Sequence, residues 1–284
     1  RGFAKSTGNY SDFGCNMIDN GQQQADDVEA ALTSLVQKPW IDRNRIIVAG
    51  QSYGGLATMA FGTRQFPGVR GLLNFAGGLR VDGDRCDWKA SMVSAFASYA
   101  ARTTLPSLWF YGENDSYFDH PLAERLLQAY QSAGGASQLI AFGSFKNDAH
   151  GMIGSRDGVP VWLPETERFL KSLGMPAEPV LAIADTPRPP ATGFSTVDNL
   201  AAVPYLSDKG RAGYGDYLKK STPRAFAVSA SGAWSWAEEG DDPSDRALSS
   251  CQKNSATTCK LYSIDNDVVW NATDTSLIPP VSVK

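Results

Sequence analysis

The sequence predicts an α/β protein with a doubly wound, mostly parallel sheet, followed by a small α+β module. Up to about residue 175, short apolar runs typical of buried strands alternate with segments of helical periodicity. This alternation is the pattern of strands joined by right-handed helical crossovers. The segment 175–193 is rich in proline and alanine and has neither period, which indicates a linker. We therefore expect a first domain over residues 1–178, and a linker with a smaller second domain over residues 179–284.

The first domain holds the predicted parallel strands and the helices that connect them. Its first helix is predicted over residues 22–38, with Asp26 and Asp27 near the N-terminal end, where the helix dipole favours negative charge. The continuous apolar stretch Ile46–Ala49 predicts a strand buried on both faces, and the next helix begins near Gly54. Further strands are predicted at 69–78, 106–115 and 137–143, and further helices at 121–134 and 161–174.

One more helix is predicted between the strands at 69–78 and 106–115. Trp88, Met92, Phe96 and Tyr99 have the spacing of one helical face there. Packing against the sheet is the simpler interpretation of this face, and a lid over a ligand site is the alternative.

Overall composition restricts the classes of partner. The formal net charge of −4 and a pI of about 5.3 provide no basic surface for nucleic acid. No apolar run approaches the roughly 18 residues that span a bilayer. The chain also lacks a CxxC pair or a cluster of cysteine and histidine, so the sequence predicts no metal site. The first ten residues have no apolar signal-peptide core, which fits either a mature terminus or an internal start.

The four cysteines suggest two disulfides. In the second domain, strands predicted within 223–237 and 259–270 flank a short helix at 242–251, and Cys251 and Cys259 bracket the polar loop between that helix and the last strands. Cys15 and Cys86 would then pair with each other by elimination. Two disulfides imply an oxidising compartment, so we expect a secreted or periplasmic protein. Four buried free thiols are the alternative.

A candidate nucleophile lies in the sequence Gly50-Gln51-Ser52-Tyr53-Gly54, which fits G-x-S-x-G. Alone this pattern is weak evidence, but here it follows a predicted strand and opens a predicted helix. A sharp turn between small residues would project the Ser52 hydroxyl above the sheet edge. The backbone N–H of Tyr53, at the helix N-terminus, would then stabilise an oxyanion. A glycine-rich turn with a solvated serine is the alternative interpretation.

The chain has two histidines that could activate this serine. His120 lies at the predicted start of a helix, where a structural role accounts for it. His150 lies in a polar loop after the predicted strand at 137–143, which is where such folds carry catalytic side chains. His150 is therefore the predicted general base.

The base needs a carboxylate to fix its tautomer. Asp115 follows the strand at 106–115 and would lie at the same sheet edge as Ser52. Asp119 is better explained as a helix cap, and Asp148 is only two residues before His150, which makes a side-chain approach awkward. Glu113 is the second choice. The order Ser52, Asp115, His150 gives nucleophile, acid and base.

The segments around these residues resemble a known superfamily. "WIDRNRIIVAGQSYGG", "WFYGENDSYF" and "DAHGM" are similar to the nucleophile, acid and histidine segments of α/β-hydrolases of the dienelactone-hydrolase-like and prolyl-oligopeptidase-like branches. The resemblance covers residues 1 to about 175. It implies a serine hydrolase that acts on a small-molecule ester, or on a peptide bond, through an acyl-enzyme and without a cofactor. Dienelactone hydrolases have cysteine where this chain has Ser52, so their lactone substrate is not expected.

The resemblance also predicts a partner segment. "RGFAKSTG" is similar to the loop that follows the fourth strand of the superfamily's sheet. The earlier strands, and the loop with a second oxyanion N–H, would then precede residue 1. We expect an N-terminal fragment of the same protein to supply them, or else a replacement strand from the C-terminal module.

Two alternative functions remain open on the sequence alone. A serine exopeptidase of prolyl-oligopeptidase type would need acidic residues that bind a free amino terminus, and the sequence identifies none. A binding protein built on an inactive hydrolase scaffold could recognise an envelope polymer through Trp234, Trp236 and Trp270. Exposed indoles without esterase activity would favour that second alternative.

Overall fold

A computed structural model of the chain describes residues 5–8, 13–81, 86–178, 188–240 and 242–272. Its contacts divide the chain into two compact units. The first unit comprises Arg1–Ile153 and Gly158–Pro179, and the second comprises Gly154–Asp157 and Val180–Lys284.

The first unit is built on a parallel four-stranded sheet. Its strands are β1 (Ile46–Gln51), β2 (Val69–Phe75), β3 (Ser107–Tyr111) and β4 (Ser137–Ala141), and they lie in that order. The helices are α1 (Met17–Leu35), α2 (Tyr53–Phe61), α3 (Trp88–Ala100), α4 (His120–Ser132) and α5 (Val159–Ser172). The predicted α/β class with a parallel sheet is confirmed. The prediction that Ile46–Ala49 is buried on both faces is wrong, because β1 lies at the edge of the sheet among the described residues and its side chains are partly buried or exposed.

Apolar side chains cover both faces of this sheet. One cluster joins α1, α2, α3 and α4 to one face, where Leu72, Trp109 and Tyr111 are buried. A second cluster joins α5 to the other face, where Leu73 and Phe110 are buried. Because successive residues of a strand point to opposite faces, continuous apolar runs in β2 and β3 fill both clusters. The sheet is therefore doubly wound.

Helix α1 begins earlier than predicted. It starts at Met17 rather than at residue 22, and Asn16 caps it by accepting a hydrogen bond from the Asp19 N–H at 3.1 Å. Asp26 and Asp27 consequently lie in the middle of the helix, so their predicted place near its N-terminal end is wrong. The reason is tertiary, because buried Met17 extends the helix against the core beyond the periodic part of the sequence.

The apolar face of α3 is a packing face. Met92, Phe96 and Tyr99 are fully buried in the first cluster, and Trp88 is partly buried against it. The Tyr99 hydroxyl donates to the Met17 carbonyl at 2.8 Å, which joins α3 to the start of α1. The simpler interpretation of this helix therefore holds, and these residues form no lid.

The second unit contains an antiparallel sheet with two helices. Its elements are α6 (Asp208–Leu218), β5 (Arg224–Ser229), β6 (Trp234–Glu238), α7 (Pro243–Gln252), β7 (Cys259–Ile264) and β8 (Asp267–Val268), with strand order β6, β5, β7, β8. The stretch predicted to contain strands, 223–237, is the hairpin of β5 and β6. Helix α6 was not predicted, because its three glycines lower helix propensity. Gly213 is required there, since a Cβ atom would collide with the Trp234 ring.

The tryptophans of the second unit are packing residues. Trp270 is buried, and Trp234 and Trp236 are partly buried against the same core cluster. The Trp234 ring stacks on Phe226 with centroids 5.8 Å apart. None of the three presents the fully exposed indole that a polymer-binding platform needs.

Both disulfides pair as the sequence predicted. Cys15 is bonded to Cys86 in the first unit, with Cα atoms 6.3 Å apart, and Cys251 is bonded to Cys259 in the second, with Cα atoms 6.1 Å apart. The shorter bridge joins α7 to β7. Among the helices that the structure describes, none is both long and apolar enough to cross a membrane. These features are compatible with an extracellular location.

Candidate active site

Three side chains lie on loops that leave the same edge of the parallel sheet. Ser52 follows β1 directly, Asp115 lies in the loop after β3, and His150 lies in the loop after β4. Because the strands are parallel, their carboxyl ends meet at one edge. The edge arrangement expected from the sequence is therefore present in the fold.

The turn at Ser52 is strained. Its backbone has φ 55° and ψ −124°, in the left-handed region that non-glycine residues rarely adopt. Such a conformation costs about 1–3 kcal/mol and persists only where the surroundings impose it. Here the Ser52 N–H donates to the Phe75 carbonyl at 3.0 Å. The Ser52 carbonyl accepts bonds from Gly55, Leu56 and Gly78 N–H groups at 2.9, 3.1 and 2.9 Å.

The two glycines of the motif have different roles. A Cβ atom at Gly50 would collide with the Gly54 carbonyl and lie 2.6 Å from Thr58 Oγ1, so only glycine fits. A Cβ atom at Gly54 would meet nothing within 4 Å. The sharp turn therefore depends on the first glycine, through the close approach of β1 and α2.

A buried hydrogen-bond network supports the turn from below. The Tyr111 hydroxyl on β3 donates to the Gly77 carbonyl at 2.6 Å, and Asn74 Nδ2 donates to the Tyr111 oxygen at 3.2 Å. Gly77 precedes Gly78, whose N–H binds the Ser52 carbonyl. Burial is the largest influence on Tyr111 and raises its pKa. The loop after β2 is thus anchored to the sheet core and to the Ser52 turn together.

Tyr53 is the first residue of α2, directly after Ser52. Backbone N–H groups at a helix N-terminus point away from the helix, where the helix dipole favours an anion. The Tyr53 hydroxyl lies 3.3 Å from the Asn20 carbonyl of α1. The side chain of Tyr53 therefore contacts α1, whereas its backbone N–H belongs to the first turn of α2, next to Ser52.

The structure brings Asp115 and His150 together. Nδ1 of His150 lies 3.0 Å from Oδ2 of Asp115. The Asp115 side chain is fully buried and the imidazole is 15% exposed. The other carboxylate oxygen, Oδ1, accepts hydrogen bonds from the Tyr117 and Phe118 N–H groups at 2.8 and 2.9 Å. Asp115 is therefore fixed by its own loop while it binds the histidine.

This contact determines the histidine tautomer. An ionised carboxylate can only accept, so the shared proton lies on Nδ1 and the lone pair of the neutral ring lies on Nε2. The Tyr117 ring packs against the imidazole with centroids 4.6 Å apart, and the Phe118 ring lies at 5.6 Å. His150 is thus presented with a basic nitrogen and with aromatic support.

Close packing holds the acid and histidine loops together. A Cβ atom at Gly112 would collide with Ala149, so glycine lets the two loops meet. Asn114 Oδ1 accepts a hydrogen bond from the Phe145 N–H at 2.8 Å, and its Nδ2 donates to the Lys146 carbonyl at 3.0 Å. These bonds connect the loop after β3 to the loop after β4.

Asp148 supports the same pair of loops. Its Oδ1 accepts from the His150 N–H at 2.9 Å, so it reaches the backbone of His150 rather than the ring. It also accepts hydrogen bonds from the backbone N–H and the hydroxyl of Ser116. Although burial raises the pKa of Asp148, the bonds from Ser116 and His150 outweigh it and lower the pKa below its ordinary value.

Gln51 connects the serine turn to the histidine loop. Its Nε2 donates to the His150 carbonyl at 2.6 Å. Within the residues that the structure describes, the Ser52 hydroxyl itself makes no hydrogen bond to His150. No sequence signal identified Gln51, since the motif leaves its position unspecified.

The other sequence candidates lie elsewhere. Glu113 is exposed and its Oε2 lies 3.5 Å from Ser144 Oγ. Asp119 caps α4 by accepting from the Leu122 N–H at 2.9 Å, and it pairs with Lys89. His120 is the first residue of α4 and contacts Glu124 at 3.3 Å. Within the described ranges, no three His, Cys, Asp or Glu residues are grouped so that they could hold a metal ion.

Comparison with known proteins gives one family and several solved structures. The sequence model of the prolyl oligopeptidase family matches residues 13–69, which include α1, Ser52 and α2. The esterase Pf2001 of Pyrococcus furiosus is 15% identical with a TM-score of 0.44, over 61% of this chain and 66% of the esterase. No curated protein sequence matches this chain.

Two peptidase structures are similar at the same level. A puromycin-hydrolyzing peptidase of Mycobacterium tuberculosis is 20% identical with a TM-score of 0.39, over 54% of this chain and 26% of the peptidase. Dipeptidyl peptidase 4 of Porphyromonas gingivalis is 22% identical with a TM-score of 0.40, over 54% of this chain and 23% of the peptidase. The chain therefore spans less than two thirds of the length of each of these three structures.

Proposed function

We propose that this chain, which is similar to α/β-hydrolases of the prolyl-oligopeptidase and dienelactone-hydrolase branches, is a serine hydrolase that cleaves carboxylic esters. In this proposal Ser52 is the nucleophile, His150 the general base and then acid, and Asp115 the residue that orients the imidazole. The Tyr53 N–H binds the oxyanion. The observation that carries the proposal is the 3.0 Å contact of Asp115 with His150 Nδ1. This contact lies at the same sheet edge as the strained backbone turn at Ser52.

The proposed reaction has two acyl-transfer steps. The Ser52 oxygen attacks the acyl carbonyl while its proton passes to His150 Nε2, and the resulting oxyanion is held beside the helix N-terminus. Collapse expels the alcohol, which takes the proton from His150 and leaves an ester on Ser52. A water molecule then attacks that ester and gives its proton to His150 in turn. Release of the carboxylic acid returns the proton to Ser52.

The two carboxylates that contact His150 support an ester over a peptide with a free amino terminus. An exopeptidase binds the substrate's ammonium group with uncommitted carboxylates. Asp115 already accepts from two backbone N–H groups and from His150, and Asp148 accepts from Ser116 and His150. The family match over residues 13–69 favours the second candidate, a serine exopeptidase of prolyl-oligopeptidase type.

The proposal includes a location and partners. Two disulfides support secretion or export to the periplasm, where an oxidising environment maintains such bonds. The expected partner is a small-molecule ester. A segment preceding residue 1 with the second oxyanion donor stays a prediction, and N-terminal sequencing with intact mass of the native protein tests it.

One experiment tests the proposed function in the whole protein. Wild type should hydrolyse short nitrophenyl esters faster than dipeptide amides, and a fluorophosphonate should label the peptide that contains Ser52. Ser52→Ala should lose both activities. Ser172→Ala is the matched control, because this exposed serine donates to the Phe169 carbonyl of its own helix. Undiminished turnover by Ser52→Ala would refute the assignment, and faster cleavage of the amides would favour the exopeptidase.

A further inference from the structure

Side chains bind both backbone polar groups of His150. Its N–H donates to Asp148 Oδ1 at 2.9 Å, and its carbonyl accepts from Gln51 Nε2 at 2.6 Å. Asp148 belongs to the same loop as His150, whereas Gln51 is 99 residues away in the chain and directly precedes Ser52. Gln51 is therefore a direct link between the serine turn and the histidine loop.

We propose that Gln51 is a positioning residue that sets the distance between Ser52 and His150. This inference rests on the proposed function, because it assigns no chemistry of its own to Gln51. Instead, its side-chain amide holds the loop of His150 at a fixed distance from the serine turn.

Gln51 is well placed to transmit position. It is the last residue of β1, and its backbone pairs with Phe75 of the fully buried part of β2. Its amide therefore extends from a fixed strand. The acceptor, by contrast, lies in a short helical segment, 149–154, where Ala149 and Met152 are the buried anchors. A bond from a rigid strand to a short loop constrains the loop more than the strand.

The exposure of Gln51 separates positioning from stability. The hydrogen bond lies at the surface, where water can replace either partner when the bond is lost. Removal of this hydrogen bond should therefore change the free energy of unfolding only slightly. Catalysis is more sensitive, since a shift of about 1 Å in a reacting group can cost on the order of a hundredfold in rate.

The test compares Gln51→Met and Gln51→Glu with Gln131→Met in the whole protein. Gln131 makes the same kind of bond, from Nε2 to the Ser137 carbonyl at 3.0 Å, between α4 and β4 and outside the catalytic loops. Methionine keeps the length of the side chain and removes the donor. An ionised glutamate replaces the donor with an acceptor that repels the carbonyl. Fluorophosphonate labelling rate, kcat, KM and the unfolding midpoint are measured for each.

Gln51→Met should lower the labelling rate and kcat by about threefold to tenfold, the range expected for one hydrogen bond. KM should stay constant, and the unfolding midpoint should match that of Gln131→Met. Gln51→Glu should lower kcat further. Wild-type rates in both Gln51 variants, or losses that follow a lowered unfolding midpoint, would overturn the positioning role alone. Failure of wild type itself to react would overturn the proposed function, and the positioning role with it.

Discussion

Asp148 binds Ser116 through both carboxylate oxygens. Oδ1 accepts from the Ser116 N–H at 3.1 Å, and Oδ2 accepts from the Ser116 hydroxyl at 2.6 Å. Ser116 directly follows Asp115, and Asp148 also binds the N–H of His150. One carboxylate thus fastens the loop of the proposed acid to the loop of the proposed base.

This carboxylate predicts a pH-dependent contribution to stability. The folded-state pKa of Asp148 is below its ordinary value, so its contribution is complete above the unfolded pKa of about 3.9 and is lost as the pH falls through the folded value. Wild type should exceed Asp148→Asn in urea midpoint at pH 7, and the difference should shrink below about pH 4. Ser116→Ala, which removes one donor, should show a shallower pH dependence than wild type. A difference that grows on acidification would contradict this account.

Substitutions of Asp115 should separate the catalytic effect of its negative charge from the structural effect of its hydrogen-bond acceptors. Asp115→Asn can still accept from Tyr117 and Phe118, but it no longer holds Nδ1 with a negative charge, so kcat should fall by about ten-thousandfold with little change in fold. Asp115→Ala should also destabilise by about 1–3 kcal/mol, because it leaves the buried Phe118 N–H without its acceptor.

Asp119→Asn is the control for this pair, because it changes the cap of α4 and not the histidine contact. It should keep full activity. Steady-state kinetics and thermal unfolding of the three variants give the comparison, and equal kcat values for Asp115→Asn and Asp119→Asn would argue against the proposed acid.

The two motif glycines should respond oppositely to alanine. Gly50→Ala places a Cβ against the Gly54 carbonyl, and overpacking of this kind costs about 1–3 kcal/mol. Gly54→Ala meets open space on α2, where alanine stabilises a helix by about 0.5–1 kcal/mol relative to glycine. Thermal unfolding of both variants tests this, and similar midpoints would show that the turn relaxes around Gly50.

The two disulfides should stabilise their units by different amounts. The Cys15 to Cys86 bridge spans 71 residues and the Cys251 to Cys259 bridge spans 8, so loop entropy predicts about 4.4 and about 2.5 kcal/mol. Alkylation without reductant should find no free thiol among these cysteines. Cys15→Ala with Cys86→Ala should therefore lower the unfolding midpoint more than Cys251→Ala with Cys259→Ala, as measured by calorimetry; the reverse order would show that native packing dominates.

Periodicity predicted the parallel sheet because buried strands leave continuous apolar runs such as those of β2 and β3. The apolar run Ile46–Ala49 also forms a strand, although it is not buried on both faces. Periodicity missed α6, where Gly210 and Gly213 lie against Trp234 although glycine lowers helix propensity. It also misplaced the start of α1, since Met17 joins the helix through burial in the core. Contacts between residues distant in the sequence determine both the formation of α6 and the start of α1. The local sequence pattern gives no information on such contacts.

The same distinction applies to the candidate site. Residue type and strand order predicted that Asp115 and His150 would lie at one edge, because parallel strands end together. The roles of Gln51 and Asp148 depend on side chains that cross between loops. The two-residue spacing between Asp148 and His150 argued against Asp148 as the acid that binds the imidazole. That spacing does allow Asp148 to bind the backbone N–H of His150.

The phenol of Tyr111 beneath the serine turn has a consequence in alkaline solution. Its hydroxyl must keep its proton in order to donate to the Gly77 carbonyl, and burial raises the pKa at which that proton leaves. Solvent-exposed tyrosines ionise near pH 10, so this support persists after they have become charged. Alkaline unfolding should therefore begin with the ionisation of other groups, while the hydrogen bond from Tyr111 to Gly77 beneath the serine turn is still present.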